Sequence, residues 1–221
     1  FMNQDIIDMM DISLQKGYRV LVLTNAMKPL LNKRHLLSPL LKKFSSNLIL
    51  RVSIDHFTQI LHEVVRGKDT WKPMIEGIRW LSEAGANITV AGRTCWKETE
   101  SDLRKGYENL FATERISVNA DDPTALVLFP EMDLTADVPE ITTLCWDVLN
   151  VAPESLMCAT SRMIVKHKGA SRTSVMPCTL LPYDLAFKLG ESLISANKTV
   201  QLNHPHCAKF CVLGGATCSP D

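Results

Sequence analysis

The stretch Leu48-Ile49-Leu50-Arg51-Val52-Ser53-Ile54-Asp55 decides the fold. It reads as a strand over Leu48 to Ile54 that ends at Asp55, because branched apolar residues run together and stop at a polar turn former. Upstream, Tyr18 to Leu23 reads as a buried strand, and downstream Ile88 to Ala91 reads as a third. Helical periodicity fills the gaps. Gln4 to Lys16 places Ile6, Ile7, Met9, Met10 and Leu14 at helical spacing, and Gly17 supplies the left-handed stop. Pro39 or its neighbours open a short apolar helix near Leu40 and Leu41, and Trp71 to Ala84 carries Ile75, Ile78, Trp80 and Leu81 up to Gly85. Ser101 to Phe111 continues as helix, followed by two short strands at Ile116 to Val118 and Ala125 to Phe129. Asp137, Pro139 and Glu140 form a helix-start signature for a helix running to about Leu149. Strands separated by helices imply a parallel sheet, since each parallel pair needs a crossover, and a doubly wound sheet or a barrel follows.

The 221 residues make one large domain, or one domain plus an appendage. Basic and acidic side chains balance at 24 each, which leaves no footprint for nucleic acid and no basic membrane anchor. The longest apolar stretches, such as Ala125 to Phe129, fall far short of the roughly 20 residues of a membrane-spanning helix. The expectation is a soluble, cytoplasmic chain that begins inside a longer protein, because its first residue is Phe and no secretory or transit pattern follows. The texture changes between residues 134 and 152, which divides the chain into a strand-and-helix part, 1–134, and a Cys-rich extension, 135–221.

Seven Cys without a secretory signal more often bind metal, catalyse or pack than form disulfides. Cys207, Cys211 and Cys218 lie close together near the end, and Cys158 and Cys178 are placed to fold back and complete a set. Such thiols suit an iron-sulfur cluster or a structural zinc, both of which accept four Cys. Taken singly, each thiol is better explained by packing, and it is the cluster of Cys207, Cys211 and Cys218 that favours metal. His204 and His206, split by Pro205, shape a loop more readily than they ligate.

In parallel α/β folds, chemistry gathers at the carboxyl ends of the strands. The polar residues there are Thr24 and Asn25, Ser53 and Asp55, Arg93 and Thr94, and Glu131 and Asp133. Singly each is a cap or turn former. Converging on one rim, they suit a ligand with amino-acid and ribose groups, the Arg forking onto carboxylate while Asp accepts from hydroxyl. His62, Glu63, Arg66 and Gly67 read as a solvated polar group between strand and helix, and Cys95 and Cys145 as packing residues.

The order Phe1-Met2-Asn3, Val20-Leu-Val-Leu-Thr24-Asn25, Arg51-Val-Ser53-Ile-Asp55, His62-Glu63-x-x-Arg66-Gly67 and Val90-Ala-Gly-Arg93 resembles the radical S-adenosylmethionine superfamily from just after its second strand onward. The resemblance implies a partial (β/α) barrel of parallel strands, with Asn25, Ser53, Asp55 and Arg93 in positions that bind S-adenosylmethionine. The segment from Cys158 to Cys178, then Cys207, Cys211 and Cys218, is similar to the auxiliary-cluster extensions called SPASM or twitch domains, although its spacing differs. These five Cys are then the candidate ligands of a 4Fe-4S cluster, with zinc as the alternative. The Gly-Gly-Glu-Pro motif and the Cys-x3-Cys-x2-Cys loop of the catalytic cluster do not occur in this sequence.

The implied activity is reductive cleavage of S-adenosylmethionine to a 5′-deoxyadenosyl radical, which abstracts hydrogen from a small-molecule or peptide substrate. An electron donor such as flavodoxin or ferredoxin would supply the reducing electron, and this chain alone would be inactive. Two other readings compete with it. One is a zinc-stabilised α/β binding module without radical chemistry, and the other is a hydrolase or transferase using Glu131, Asp133 or Cys95.

Overall fold

The computed structural model describes residues 1–131, 133–135 and 137–213. The chain divides into two compact units, Phe1–Glu131 and Met132–Asp221.

The first unit alternates helix and strand: α1 (Ile6–Gln15), β1 (Val20–Thr24), α2 (Lys28–Leu31), α3 (Arg34–Lys43), β2 (Leu48–Ser53), α4 (Gln59–Arg66), α5 (Trp71–Glu83), β3 (Asn87–Arg93), α6 (Glu100–Glu114) and β4 (Leu126–Phe129). All neighbouring strands are parallel, and the sheet order is β1-β2-β3-β4. The fold is α/β, and this sequential parallel order is that of a partial β/α barrel.

Register assigns the two faces. Val20, Leu48, Val22 and Leu50 lie side by side, as do Val52, Val90 and Leu126, and these residues build the main core with Met74, Ile78 and Leu81 of α5. The fully buried members, such as Leu48, Leu50, Val52, Val90 and Leu126, each contribute about 1.5–3 kcal/mol, while Val20 and Val22 are partly buried. The opposite face carries Leu23, Arg51 and Thr89 in one row, and Ser53, Ala91 and Val127 in the next. Arg51 is buried there and donates from Nε to Thr89 Oγ1 at 3.1 Å.

Two glycines fix the helix packing. A Cβ at Gly92 would overlap the Tyr107 hydroxyl, which passes over β3 to donate to the Ile54 carbonyl at 2.6 Å. A Cβ at Gly77 would overlap the Ala26 carbonyl oxygen, so α5 presses directly on the turn that follows β1.

Several expectations need correction. Pro39 lies inside α3 rather than opening it. Residues 116–118 form no strand, because Arg115 turns left-handed at φ 56° and Ile116 N–H closes back on the Phe111 carbonyl at 2.8 Å. His62, Glu63 and Arg66 belong to helix α4, not to a loop.

In the second unit the described elements are short: α7 (Cys145–Leu149), α8 (Met157–Thr160), the antiparallel pair β5 (Met163–Val165) and β6 (Ser174–Met176), two 3-10 turns, and a π-helical segment, Cys207–Val212. A small cluster of Val175, Leu189 and Ala196, with Val200 against it, packs beside the hairpin. The helix expected from Asp137 is absent until Cys145, since residues 137–144 bury no continuous apolar face and the Thr142 N–H is taken by Cys145 Sγ at 3.4 Å. Cys145 is half-buried, not core.

Candidate functional site

The turn after β1 is held by its own side chains. Thr24 Oγ1 accepts from Ala26 N–H at 3.0 Å and Asn25 Oδ1 from Met27 N–H at 3.3 Å, while Ala26 sits at a left-handed φ of 54°. The β2–β3 ladder continues past the strand ends, with Ile54 N–H donating to the Ala91 carbonyl and Arg93 N–H to the Asp55 carbonyl, each at 3.0 Å. Asp55 and Arg93 thereby meet at the carboxyl end of the sheet.

Asp55 is 2% exposed and fully engaged. Arg93 Nε donates to Oδ1 at 2.7 Å, Arg66 Nη2 to Oδ1 at 3.3 Å, and Arg66 Nε to Oδ2 at close range. Burial alone would raise its pKa, but the two guanidiniums outweigh that cost and hold the carboxyl below its ordinary value. Its oxygens fix two arginines, with two donors on Oδ1 and one on Oδ2. With one carboxylate and two guanidiniums, this network carries an excess positive charge at the strand ends.

Beside it lies a pocket of about 250 Å³ lined by Asn25, Met27, Ser53, His62, Arg66, Thr70 and Met74. The structure thus brings Asn25 and Ser53 to one pocket, while Asp55 and Arg93 pair with each other. Arg66 joins the two groups. His62 is 2% exposed, its ring stands edge-on to Trp71 at 5.4 Å, and its Nδ1 has no hydrogen-bond partner. Burial holds its imidazole below the ordinary pKa, with Asp55 opposing and Arg66 assisting. Glu63 caps α5 by accepting from Trp71 N–H at 3.2 Å, and its charge, like that of Asp55, opposes the lowering of the His62 pKa. The sequence signal for this arrangement was the spacing of His62 and Arg66, four apart and hence on one side of a helix.

A second buried imidazole ties the loops together. Thr58 N–H donates to His56 Nδ1 at 3.0 Å, which leaves Nε2–H to donate to Glu98 Oε1 at 3.0 Å, with Trp96 edge-on to the ring. Sequence reading had no hold on this pair, because its members lie 42 positions apart.

The remaining candidates do not line that pocket. Cys95 is an exposed residue whose thiol pKa is nevertheless raised, by partial desolvation first and then by the carboxylates of Glu131 and Asp55, rather than lowered toward a reactive thiolate. Asp133 forms a local turn through Thr135, and Glu131 is exposed.

In the second unit, Cys158, Cys178, Cys207 and Cys211 line one apolar pocket of about 380 Å³, walled by Met157, Pro177, Leu180, Leu181, Val200 and Leu202. Cys158, Cys178 and Cys207 are free thiols. The Cys207 thiol is pushed up to about 12, mainly by burial and then by the neighbouring Cys178. Burial also raises Cys178, while Leu180 and Leu181 backbone N–H groups pull against it. Cys218 lies outside the described residues. Among the described residues no group of three or more His, Cys, Asp or Glu is placed to hold a metal ion, so the four thiols share a pocket without standing at ligand geometry. His204 shapes its loop as expected, its Nδ1 accepting from His206 N–H at 3.0 Å.

Among the described residues no helix is long and apolar enough to cross a membrane. No protein-family model matches the chain, and a search of curated proteins finds no match. Among solved structures the chain is similar to Streptococcus suis SuiB bound to S-adenosylmethionine, at 11% identity and a TM-score of 0.47, with 96% of this chain and 52% of that chain covered. The chain spans about half the length of that protein.

Proposed function

We propose that this chain is part of a radical S-adenosylmethionine enzyme, with the strand-end pocket of the first unit binding S-adenosylmethionine and the thiols of the second unit holding an auxiliary 4Fe-4S cluster. One observation carries the reading. Asn25 and Ser53, which the family resemblance assigns to the sulfonium cofactor, line a single pocket at the carboxyl ends of adjacent parallel strands, beside an Arg66–Asp55–Arg93 network with surplus positive charge. An aminoacyl carboxylate fits that surplus, and amide and hydroxyl groups fit the rest.

In this reading each residue has a separable task. Arg66, fixed by Asp55, directs its remaining N–H groups at the carboxylate; Ser53 and Asn25 orient polar groups of the ligand; Met27 and Met74 line the apolar side of the pocket and exclude water. Arg93, half-exposed, presents its outer guanidinium edge to the rim. In the whole enzyme, with one electron from a donor such as flavodoxin or ferredoxin, bound S-adenosylmethionine would supply the radical chemistry acting on a small-molecule or peptide substrate.

The donor set of the second pocket suits a Cys-ligated centre in kind: four cysteines, an apolar wall and backbone N–H groups already directed at Cys178. Cys158, Cys178, Cys207 and Cys211 would hold it. The same set suits zinc, and a colourless protein with one zinc per chain would favour a zinc-stabilised binding module instead. No three Cys of the sequence have the spacing of the catalytic-cluster loop, so the chain alone binds S-adenosylmethionine without cleaving it.

The test combines anaerobic iron, sulfide and zinc analysis with calorimetric titration of S-adenosylmethionine. Binding that is lost in Arg66→Ala, together with about four irons and four sulfides per chain, supports the reading. No heat of binding, or cleavage of S-adenosylmethionine by this chain alone, overturns it.

A further inference from the structure

We infer that Ala26 is a positioning residue for the strand-end pocket: held left-handed against Gly77 of α5, it fixes the turn after β1 so that the Asn25 amide stands ready for the ligand before any ligand arrives. The inference rests on the reading of that pocket as an S-adenosylmethionine site, and it adds a residue that acts through its neighbour rather than by contact.

Two residues stand where elementary backbone rules would exchange them. Ala26 takes a φ of 54°, a region that suits Gly, and is 0% exposed. Gly77 lies inside helix α5, where Ala is the more stable choice. Their contact accounts for both. A Cβ at Gly77 would lie 1.6 Å from the Ala26 carbonyl oxygen and 3.0 Å from the Ala26 Cβ, so the helix backbone rests directly on the turn. The Ala26 methyl belongs to the main core, whose close packing leaves the turn little room to relax. Backbone strain persists where the surrounding structure over-determines it, and it gathers at sites that are preformed for a ligand.

The turn carries that constraint to the pocket. Thr24 is level with Val52 in the β1–β2 register, so Asn25 and Ser53 leave the sheet as neighbours. Asn25 and Met27, on either side of Ala26, both line the pocket, as does Met74, one turn before Gly77 on α5. Thr24 Oγ1 accepts from Ala26 N–H at 3.0 Å, and Asn25 Oδ1 accepts from Met27 N–H at 3.3 Å. The amide oxygen is thereby committed to the turn, and Nδ2 is the donor that Asn25 offers to an acceptor atom of the ligand. Asn25 is exposed, which keeps that donor within a ligand's reach.

Calorimetric titration of the full chain with S-adenosylmethionine, paired with thermal unfolding, tests this. Ala26→Gly should weaken binding about fivefold, the scale of one group that must be ordered on binding. Its unfolding midpoint should move by no more than about 3 °C, because relief of the left-handed strain offsets the lost methyl. Asn25→Ala should weaken binding about tenfold in the wild type but only about twofold in Ala26→Gly, since a mispositioned amide has less to lose. Gly77→Ala, which drives the turn off α5, should weaken binding about tenfold or more. Should that variant fail to fold, Ala26→Gly and its cycle with Asn25 decide. In the ligand-free chain the Met27 amide should exchange its hydrogen more slowly in the wild type than in Ala26→Gly. Unchanged affinity in Ala26→Gly, additive losses with Asn25→Ala, or equal exchange at Met27 would overturn the inference, as would an affinity loss matched by a large drop in midpoint, the mark of a purely structural role. If the wild type binds no S-adenosylmethionine, the reading of the site fails and this inference falls with it, whereas binding that ignores Ala26 removes the inference alone.

Discussion

The two units hold themselves together by different means. In Phe1–Glu131 a four-stranded parallel sheet lays one continuous apolar face against its helices, and the residues at its strand ends inherit their positions from that packing. In Met132–Asp221 the described strands are three residues long, the cluster beside them is small, and the feature that gathers distant segments is a pocket lined by four cysteines. Burial specifies the first region outright. In the second, short described elements surround the cysteine-lined pocket, and this contrast yields tests of graded size.

The largest effect should come from the thiols. Structural thiolate centres contribute on the order of 10 kcal/mol to the modules they hold. Cys207→Ala in chain reconstituted with iron and sulfide should therefore leave amides of residues 145–213 exchanging at near-unfolded rates, while β2 and β3 stay protected. Hydrogen-exchange mass spectrometry reads both regions in one experiment. Unchanged protection in the second unit would show that the thiols merely pack, and the contrast between the units would vanish.

Next in size is the core of the first unit. Ile78 is fully buried within the main cluster, and Ile78→Ala should destabilise the first unit by about 2–5 kcal/mol in a denaturant titration. Val175→Ala in the small cluster of the second unit should cost less, since fewer buried neighbours surround it and fewer methyl groups are removed. A reversal of that order would refute the assignment of packing to the first region.

The same contrast governs how much could be read from the sequence. The strands at Tyr18, Leu48 and Ile88 announce themselves because burial on a sheet demands runs of branched side chains, and the crossover rule then orders them. Asn25, Ser53, Asp55 and Arg93 were legible as strand-end positions. Their division of labour was not, since Asp55 meets Arg66 only through the fold of α4, a helix read as a loop because its polar residues look solvated. The capping signature at Asp137 misled for the opposite reason: a good start signal cannot hold a helix that has no apolar face to bury. The cysteines were legible as a set because thiols are rare, although their common pocket depends on loops that no periodicity describes.

Asp55→Asn comes third. It removes the anion that two guanidiniums share, and both arginines are partly solvated, so the cost should be about 1–3 kcal/mol. The pH dependence has a definite sign. Because the folded carboxyl sits below its ordinary pKa, its stabilisation is complete above the unfolded value, near about 4, and is lost as pH falls through the lower folded value. Acid titration of the wild type should show this loss below about pH 4, and Asp55→Asn should remove that component from the first unit's curve. His62 adds a separate loss at milder acidity. Its depressed pKa means that the unfolded chain takes up a proton first, so stability declines as pH drops below about 6.5.

The smallest effect belongs to a helix end. Thr99 Oγ1 accepts from Asp102 N–H at 3.1 Å and donates to Asp102 Oδ2 at 2.7 Å, a reciprocal cap on α6. Thr99→Ala leaves that N–H to water and should cost about 1 kcal/mol, while Thr99→Ser keeps the hydroxyl and should cost a few tenths. The helix matters beyond its own stability, because Tyr107 on α6 reaches over Gly92 to the Ile54 carbonyl, one residue before Asp55. If the first unit is one cooperative body, the loss at Thr99 should lower the unfolding midpoint read at Tyr107 and at Asp55 equally. Unequal shifts would mean that α6 frays apart from the sheet, and the strand ends would then owe their positions to local turns, as the second unit does.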